Sequence, residues 1–156
     1  MPIVSELAQI FLKHQWRLST AESCTGGLVA ASITALAGSS DWFERGYVTY
    51  SNEAKIQDID VPPELLLQHG AVSIEVAEAM AKGAKNTSHS NVALSITGIA
   101  GPTGGSPQKP VGMVCFAWAL ANGSVLTETV VFSGDRTAIR MQACDYSLKK
   151  LLEFSK

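Results

Sequence analysis

A serine and a cysteine stand side by side in Ala21-Glu22-Ser23-Cys24-Thr25-Gly26-Gly27. Either could attack an electrophilic carbon if this stretch turns from a strand into a helix. The free N–H groups and positive dipole end of a helix favour an anion, and they lower a thiol pKa. The pattern matches neither a Walker loop nor GxGxxG, and Thr25 acting as an ordinary N-cap explains it as well. Serine and cysteine nucleophiles therefore both stay open. His14, His69 and His89 are far apart and read as surface residues, so a serine–histidine pair has no local support. A lysine of lowered pKa is the other base available to a serine. Tyr50 and Lys55, in Thr49-Tyr50-Ser51-Asn52-Glu53-Ala54-Lys55, flank a strand end where both could converge on one pocket. Ser147 and Lys150 repeat the Ser/Lys theme in an amphipathic stretch without a glycine-rich neighbour and read as surface.

The segment from Gly98 to Gly112 holds five glycine positions in its first eight residues and last few, namely Gly98, Gly101, Gly104, Gly105 and Gly112. Such a loop lets backbone amides approach a ligand closely, as in an anion nest, and Lys109 could add charge. Beyond it, Arg136 and Arg140 could offer guanidinium groups to a phosphate or carboxylate. Cys24, Cys115 and Cys144 are isolated, with no CxxC, which disfavours a disulfide framework and a zinc site.

Elements must carry these groups to one place. Val4, Leu7, Ala8, Phe11 and Leu12 share a helical face, predicting a helix over 5–15. A strand over 17–21 then leads through the turn into a helix stopping at Gly38. Arg45 to Ser51 is aromatic and β-branched and reads as the next strand, ended by Asn52. Pro62-Pro63 opens a short helix to Gln68, and Ser73 caps another with Ile74, Ala77, Ala81 and Ala84 inward, small enough for close packing on a sheet. Strands follow over 91–97, 113–119 and 124–132, the last two joined through Asn122-Gly123, a hairpin dipeptide. Asp135 caps a final helix with Met141, Cys144, Leu148 and Leu151 inward. Alternation followed by a hairpin predicts an α/β fold, a three-layer α/β/α sandwich around a mixed, partly parallel sheet.

The 156 residues suit one domain over 1–156, 46% hydrophobic, enough to build a core. Twelve basic against fourteen acidic side chains leave no cationic surface for nucleic acid or anionic lipid. No apolar run reaches the ~20 residues of a membrane helix, and no basic stretch leads into an apolar one near Met1. A cytoplasmic location is the expectation.

Taken together, Ala21–Gly27, Gly38-Ser39-Ser40, Val48–Lys55, His69–Ser73, Gly98–Pro102, Gly104-Gly105 and Lys109–Gly112 resemble the signatures of the CinA C-terminal domain family, in order from about Ser5 to Leu152. Lacking the larger amino-terminal domain, the chain is similar to the stand-alone nicotinamide-nucleotide amidases of that family. The resemblance implies hydrolysis of the carboxamide of nicotinamide mononucleotide to nicotinic acid mononucleotide and ammonia, without metal or organic cofactor. It matches Ser23 to the nucleophile and Tyr50 and Lys55 to the residues that activate it. The substrate is expected to meet Cys24, Thr25, Gly26, Gly27 and Asn52, the loop glycines Gly98, Gly101, Gly104 and Gly105, and Arg140. A homodimer is the expected assembly. The competing readings are a non-catalytic nucleotide-binding or protein-interaction domain and, third, a thiol enzyme using Cys24.

Overall fold

The carboxyl ends of three parallel strands meet along one edge of the sheet, and that edge organises the rest. In the computed structural model, which describes residues 2–156, the chain runs α1 (Pro2–His14), β1 (Leu18–Glu22), α2 (Leu28–Thr34), β2 (Phe43–Val48), α3 (Asn52–Ile59), α4 (Pro63–His69), α5 (Ile74–Ser88), β3 (Val92–Gly98), β4 (Met113–Ala119), β5 (Val125–Val131) and α6 (Arg136–Ser155). Strand order is β2-β1-β3-β4-β5. β1 lies parallel to both β2 and β3, and β4 is antiparallel to β3 and β5. The chain thus leaves β1 to one side for β2 and returns on the other side for β3. This switch of direction opens a crevice beyond the strand ends, where open α/β sheets bind ligands.

Alternation along the strands separates two cores. Val92, Leu94 and Ile96 of β3 and Val114, Phe116 and Trp118 of β4 pack toward α1, α2 and α6. Ala93, Cys115, Ala117 and Ala119 face α5, whose Ala77, Ala81 and Ala84 are fully buried against them. Small side chains on both surfaces let α5 sit close to the sheet, as its spacing predicted. The expected three-layer α/β/α architecture with a mixed sheet is the one observed.

Several boundaries differ from the sequence expectation. The strand predicted over 45–51 stops at Val48, and α3, for which the sequence predicts no element, starts at Asn52 because the Ser51 hydroxyl accepts the Ala54 N–H at 3.0 Å and caps a helix. α2 ends at Thr34, and a short 3-10 turn fills Ser39–Asp41 before β2. Ile74, Met141 and Leu12, expected inward, are exposed, each at the rim of its helix's apolar stripe. Ser147 is buried, not on the surface, with its carbonyl accepting the Trp118 indole N–H at 3.0 Å. Ser73 and Asp135 cap α5 and α6 as predicted.

Candidate functional site

At the end of β1 a fully buried carboxylate decides what the first turn can bind. Glu22 accepts the Thr25 hydroxyl at 2.7 Å and the N–H groups of Gly27, Val29 and Ala30 at 3.2, 2.9 and 3.1 Å. Thr25 is therefore not the N-cap of α2. Gly27 holds that position in a left-handed conformation, and Glu22 supplies the missing acceptors. The Glu22 carboxylate already occupies the positive end of α2, which leaves no room there for a further anion. The N–H groups of Cys24 and Thr25 are not among the donors to Glu22. Nothing in the residue pattern singled out Glu22, because its partners lie on the far side of a turn whose path the sequence does not specify.

Immediately after Glu22, Ser23 turns its hydroxyl toward Lys55. The Lys55 Nζ lies 3.0 Å from Ser23 Oγ, 2.8 Å from the Thr49 carbonyl oxygen and 3.2 Å from that of Tyr50. Lys55 is 1% exposed although it carries an amine. Among the described residues it makes no ion pair with a carboxylate, and burial pulls its pKa from the usual lysine range down to about 8. Nζ also lies 3.5 Å from the Ser51 carbonyl oxygen, and the Ser23 hydroxyl 3.4 Å from that of Tyr50. In its neutral form the amine has two N–H groups for the Thr49 and Tyr50 carbonyls and a lone pair that a rotated Ser23 O–H can reach.

The neighbouring thiol is tuned the other way. Burial pushes Cys24 up to about 11, against the opposing pull of its own backbone N–H and of the Arg140 and Lys55 charges. A thiol held that high is protonated at neutral pH and is a poor nucleophile. The two neighbours are buried alike, and what separates them is that the serine oxygen meets Lys55 Nζ while burial keeps the thiol protonated.

Ser23 and Lys55 open into a cleft of about 280 Å³. It brings together eight of the sequence-predicted residues: Ser23, Cys24, Tyr50, Asn52, Lys55, Gly98, Gly101 and Gly104. Thr25, Gly26, Gly27, Gly105 and Arg140 do not line it. Tyr50 meets Lys55 through its backbone. Its carbonyl holds Lys55, while its phenol is 61% exposed at the cleft mouth and accepts an Arg136 N–H at 3.1 Å.

Two arginines one helical turn apart have different duties. Arg136, at the first turn of α6, lines the cleft and donates to the Gly101 carbonyl at 2.8 Å. Arg140 donates to the carbonyls of Cys24 and Thr25 at 2.9 and 3.1 Å, bracing the turn that carries Ser23. Helical side chains lean toward the helix N-terminus, which carries Arg136 out over the loop and leaves Arg140 over the turn. Lys109 is likewise engaged, donating to the His69 carbonyl at the end of α4. It fastens the glycine loop to its neighbour and lies outside the cleft lining. The loop needs its glycines for close approach: Gly101 has φ +78°, and a side chain there would run into Val111.

His14 and His89 are exposed and His69 half-buried, none of them in the cleft. Among the described residues no three metal-binding side chains come together, and no helix is long and apolar enough to cross a membrane.

Against known proteins, the model of the family described as CinA C-terminal domain matches residues 1–155. Nicotinamide-nucleotide amidohydrolase PncC of Escherichia coli strain K12 is 54% identical over 151 residues, covering 97% of this chain and 92% of that protein. Its namesake in Pseudomonas putida is 47% identical over 152 residues, covering 97% and 94%. The crystal structure of competence/damage inducible protein CihA from Agrobacterium tumefaciens superposes with a TM-score of 0.96 at 42% identity, covering 99% of this chain and 94% of that one.

Proposed function

This chain belongs to the CinA C-terminal domain family, and from that premise we propose that it hydrolyses the carboxamide of nicotinamide mononucleotide to nicotinic acid mononucleotide and ammonia through a Ser23 acyl-enzyme. The observation that carries the reading is the buried Lys55 amine 3.0 Å from the Ser23 hydroxyl, with no carboxylate paired to it among the described residues. The names of the similar amidohydrolases from Escherichia coli and Pseudomonas putida supply the substrate.

Neutral Lys55 takes the Ser23 proton as Oγ attacks the amide carbon. The two carbonyls of Thr49 and Tyr50 receive the N–H groups of the resulting ammonium. Negative charge on the former carbonyl oxygen meets the N–H groups of Cys24 and Thr25, each such donor typically contributing about 3–4 kcal/mol to the transition state. Lys55 then returns its proton to the departing nitrogen, ammonia leaves, and water repeats the sequence on the ester. The proton moves directly between Ser23 and Lys55, because the Tyr50 phenol is turned to Arg136. Arg136 and the loop amides near Gly101 and Gly104 are the phosphate's partners, a role for which Glu22 disqualifies the α2 N-terminus.

The reading includes a homodimer, since an active site built from surface loops suits a shared interface, and a reducing cytoplasm, in keeping with three free cysteines. Light scattering reports the former. Incubation with nicotinamide mononucleotide, with ammonia and the acid both measured, tests the reaction. Ser23→Ala, folded and inactive, is the expected companion, and an active Ser23→Ala protein would overturn the assignment.

A further inference from the structure

The cleft around Ser23 offers an incoming nucleophile few partners. Its side-chain lining includes Asn52, Thr97 and Arg136 and small apolar groups from Ala71 and Val72, with no carboxylate or imidazole among the described residues. The Thr97 hydroxyl is already spent on the Ala71 carbonyl, at 2.9 Å. Lys55 is then the base of both half-reactions, and among the described residues of the lining no carboxylate or imidazole is present to fix a water molecule in preference to another small nucleophile.

Microscopic reversibility adds a second constraint. Ammonia departs through the position that water later takes, receiving its proton from the same Lys55 Nζ. That position therefore already accommodates an amine, with a hydrogen-bonding partner suited to nitrogen. An amide such as Asn52 donates to and accepts from water and small amines alike.

Resting on the acyl-enzyme of the preceding section, we propose that this protein is also an acyl transferase to small neutral amines, of the size of ammonia or hydroxylamine. The amine nitrogen attacks the Ser23 ester carbonyl, and the C–Oγ bond breaks as the C–N bond forms. One N–H proton passes to Lys55 Nζ and from there to Ser23 Oγ, so the enzyme is regenerated and nothing is oxidised or reduced. With ammonia the product is the original carboxamide, and with hydroxylamine it is the hydroxamate.

The test is turnover of nicotinamide mononucleotide by the full chain in increasing hydroxylamine at a pH near the Lys55 pKa, with acid and hydroxamate separated by chromatography. The hydroxamate-to-acid ratio rises in proportion to hydroxylamine, about tenfold for a tenfold increase, as expected for two nucleophiles dividing one acyl-enzyme. Nitrogen-labelled ammonia likewise enters the unreacted substrate. Ser23→Ala loses hydroxamate and acid together, which separates transfer on the enzyme from direct attack in solution. Acid formed at its usual rate, with no hydroxamate and no label exchange, would overturn the transferase while leaving the hydrolase standing. If neither product forms, the hydrolase reading falls and the transferase with it.

Discussion

Lys55 provides the sharpest quantitative test, because its chemistry depends wholly on where the fold has put it. An ordinary lysine of pKa 10.5 is only about 0.03% neutral at pH 7, whereas one at about 8 is about 9% neutral, roughly a 300-fold gain in usable base. If that amine takes the Ser23 proton, kcat/KM climbs about tenfold between pH 7 and pH 9, with its midpoint near 8. Lys55→Arg keeps the positive charge but cannot release a proton, so it loses about as much activity as Lys55→Met, on the order of 100-fold or more. Stability moves in a defined direction as well. Between pH 8 and 10.5 the unfolded chain binds the lysine proton and the folded protein does not, so stability rises with pH across that window. The gain is about 3 kcal/mol, complete above the window and absent below it, and the difference between wild type and Lys55→Met in chemical denaturation isolates it. A flat kcat/KM from pH 7 to 9, or a Lys55→Arg enzyme of near-normal turnover, would refute the base role and reduce Lys55 to a binding residue.

Three further outcomes follow from the same geometry. Cys24→Ala keeps most of the turnover in steady-state assays, because a thiol held near 11 takes no part in attack, and its inactivation would return the protein to the thiol class. Arg136→Ala raises KM for the nucleotide by about ten- to a hundredfold, the worth of a charge-assisted contact, while hydrolysis of the phosphate-free nucleoside is unchanged. Equal losses on both substrates would remove Arg136 from phosphate recognition. Glu22→Gln lowers unfolding free energy by about 1–3 kcal/mol, since an amide nitrogen cannot accept the buried N–H groups that the carboxylate now satisfies. An unchanged denaturation midpoint would show that those bonds are dispensable.

Local chemistry was enough to read much of this protein from its sequence. Caps such as Ser73 and Asp135 act on N–H groups three residues away. The Asn122-Gly123 turn closes within a few residues, and the β3 and β4 alternation is set by the pleat, so the layers, the loop glycines and every helix and strand but α3 were legible. Ser51 shows the margin of such reading, since the same short stretch could end a strand or cap a helix, and packing of Ile59 into the core settled it as α3. Proposing a nucleophile, a base and an arginine for the phosphate required the tertiary structure. Ser23 and Cys24 are buried alike and differ in that the serine oxygen lies 3.0 Å from Lys55 Nζ, and the proposed base role of Lys55 rests on α3 lowering it among carbonyls with no carboxylate partner among the described residues. Arg136 and Arg140 are chemically identical and are told apart by one helical turn above a crevice. Desolvation and hydrogen-bond partners are supplied by segments distant in the chain, and no local pattern can encode them before the sheet has brought those segments together.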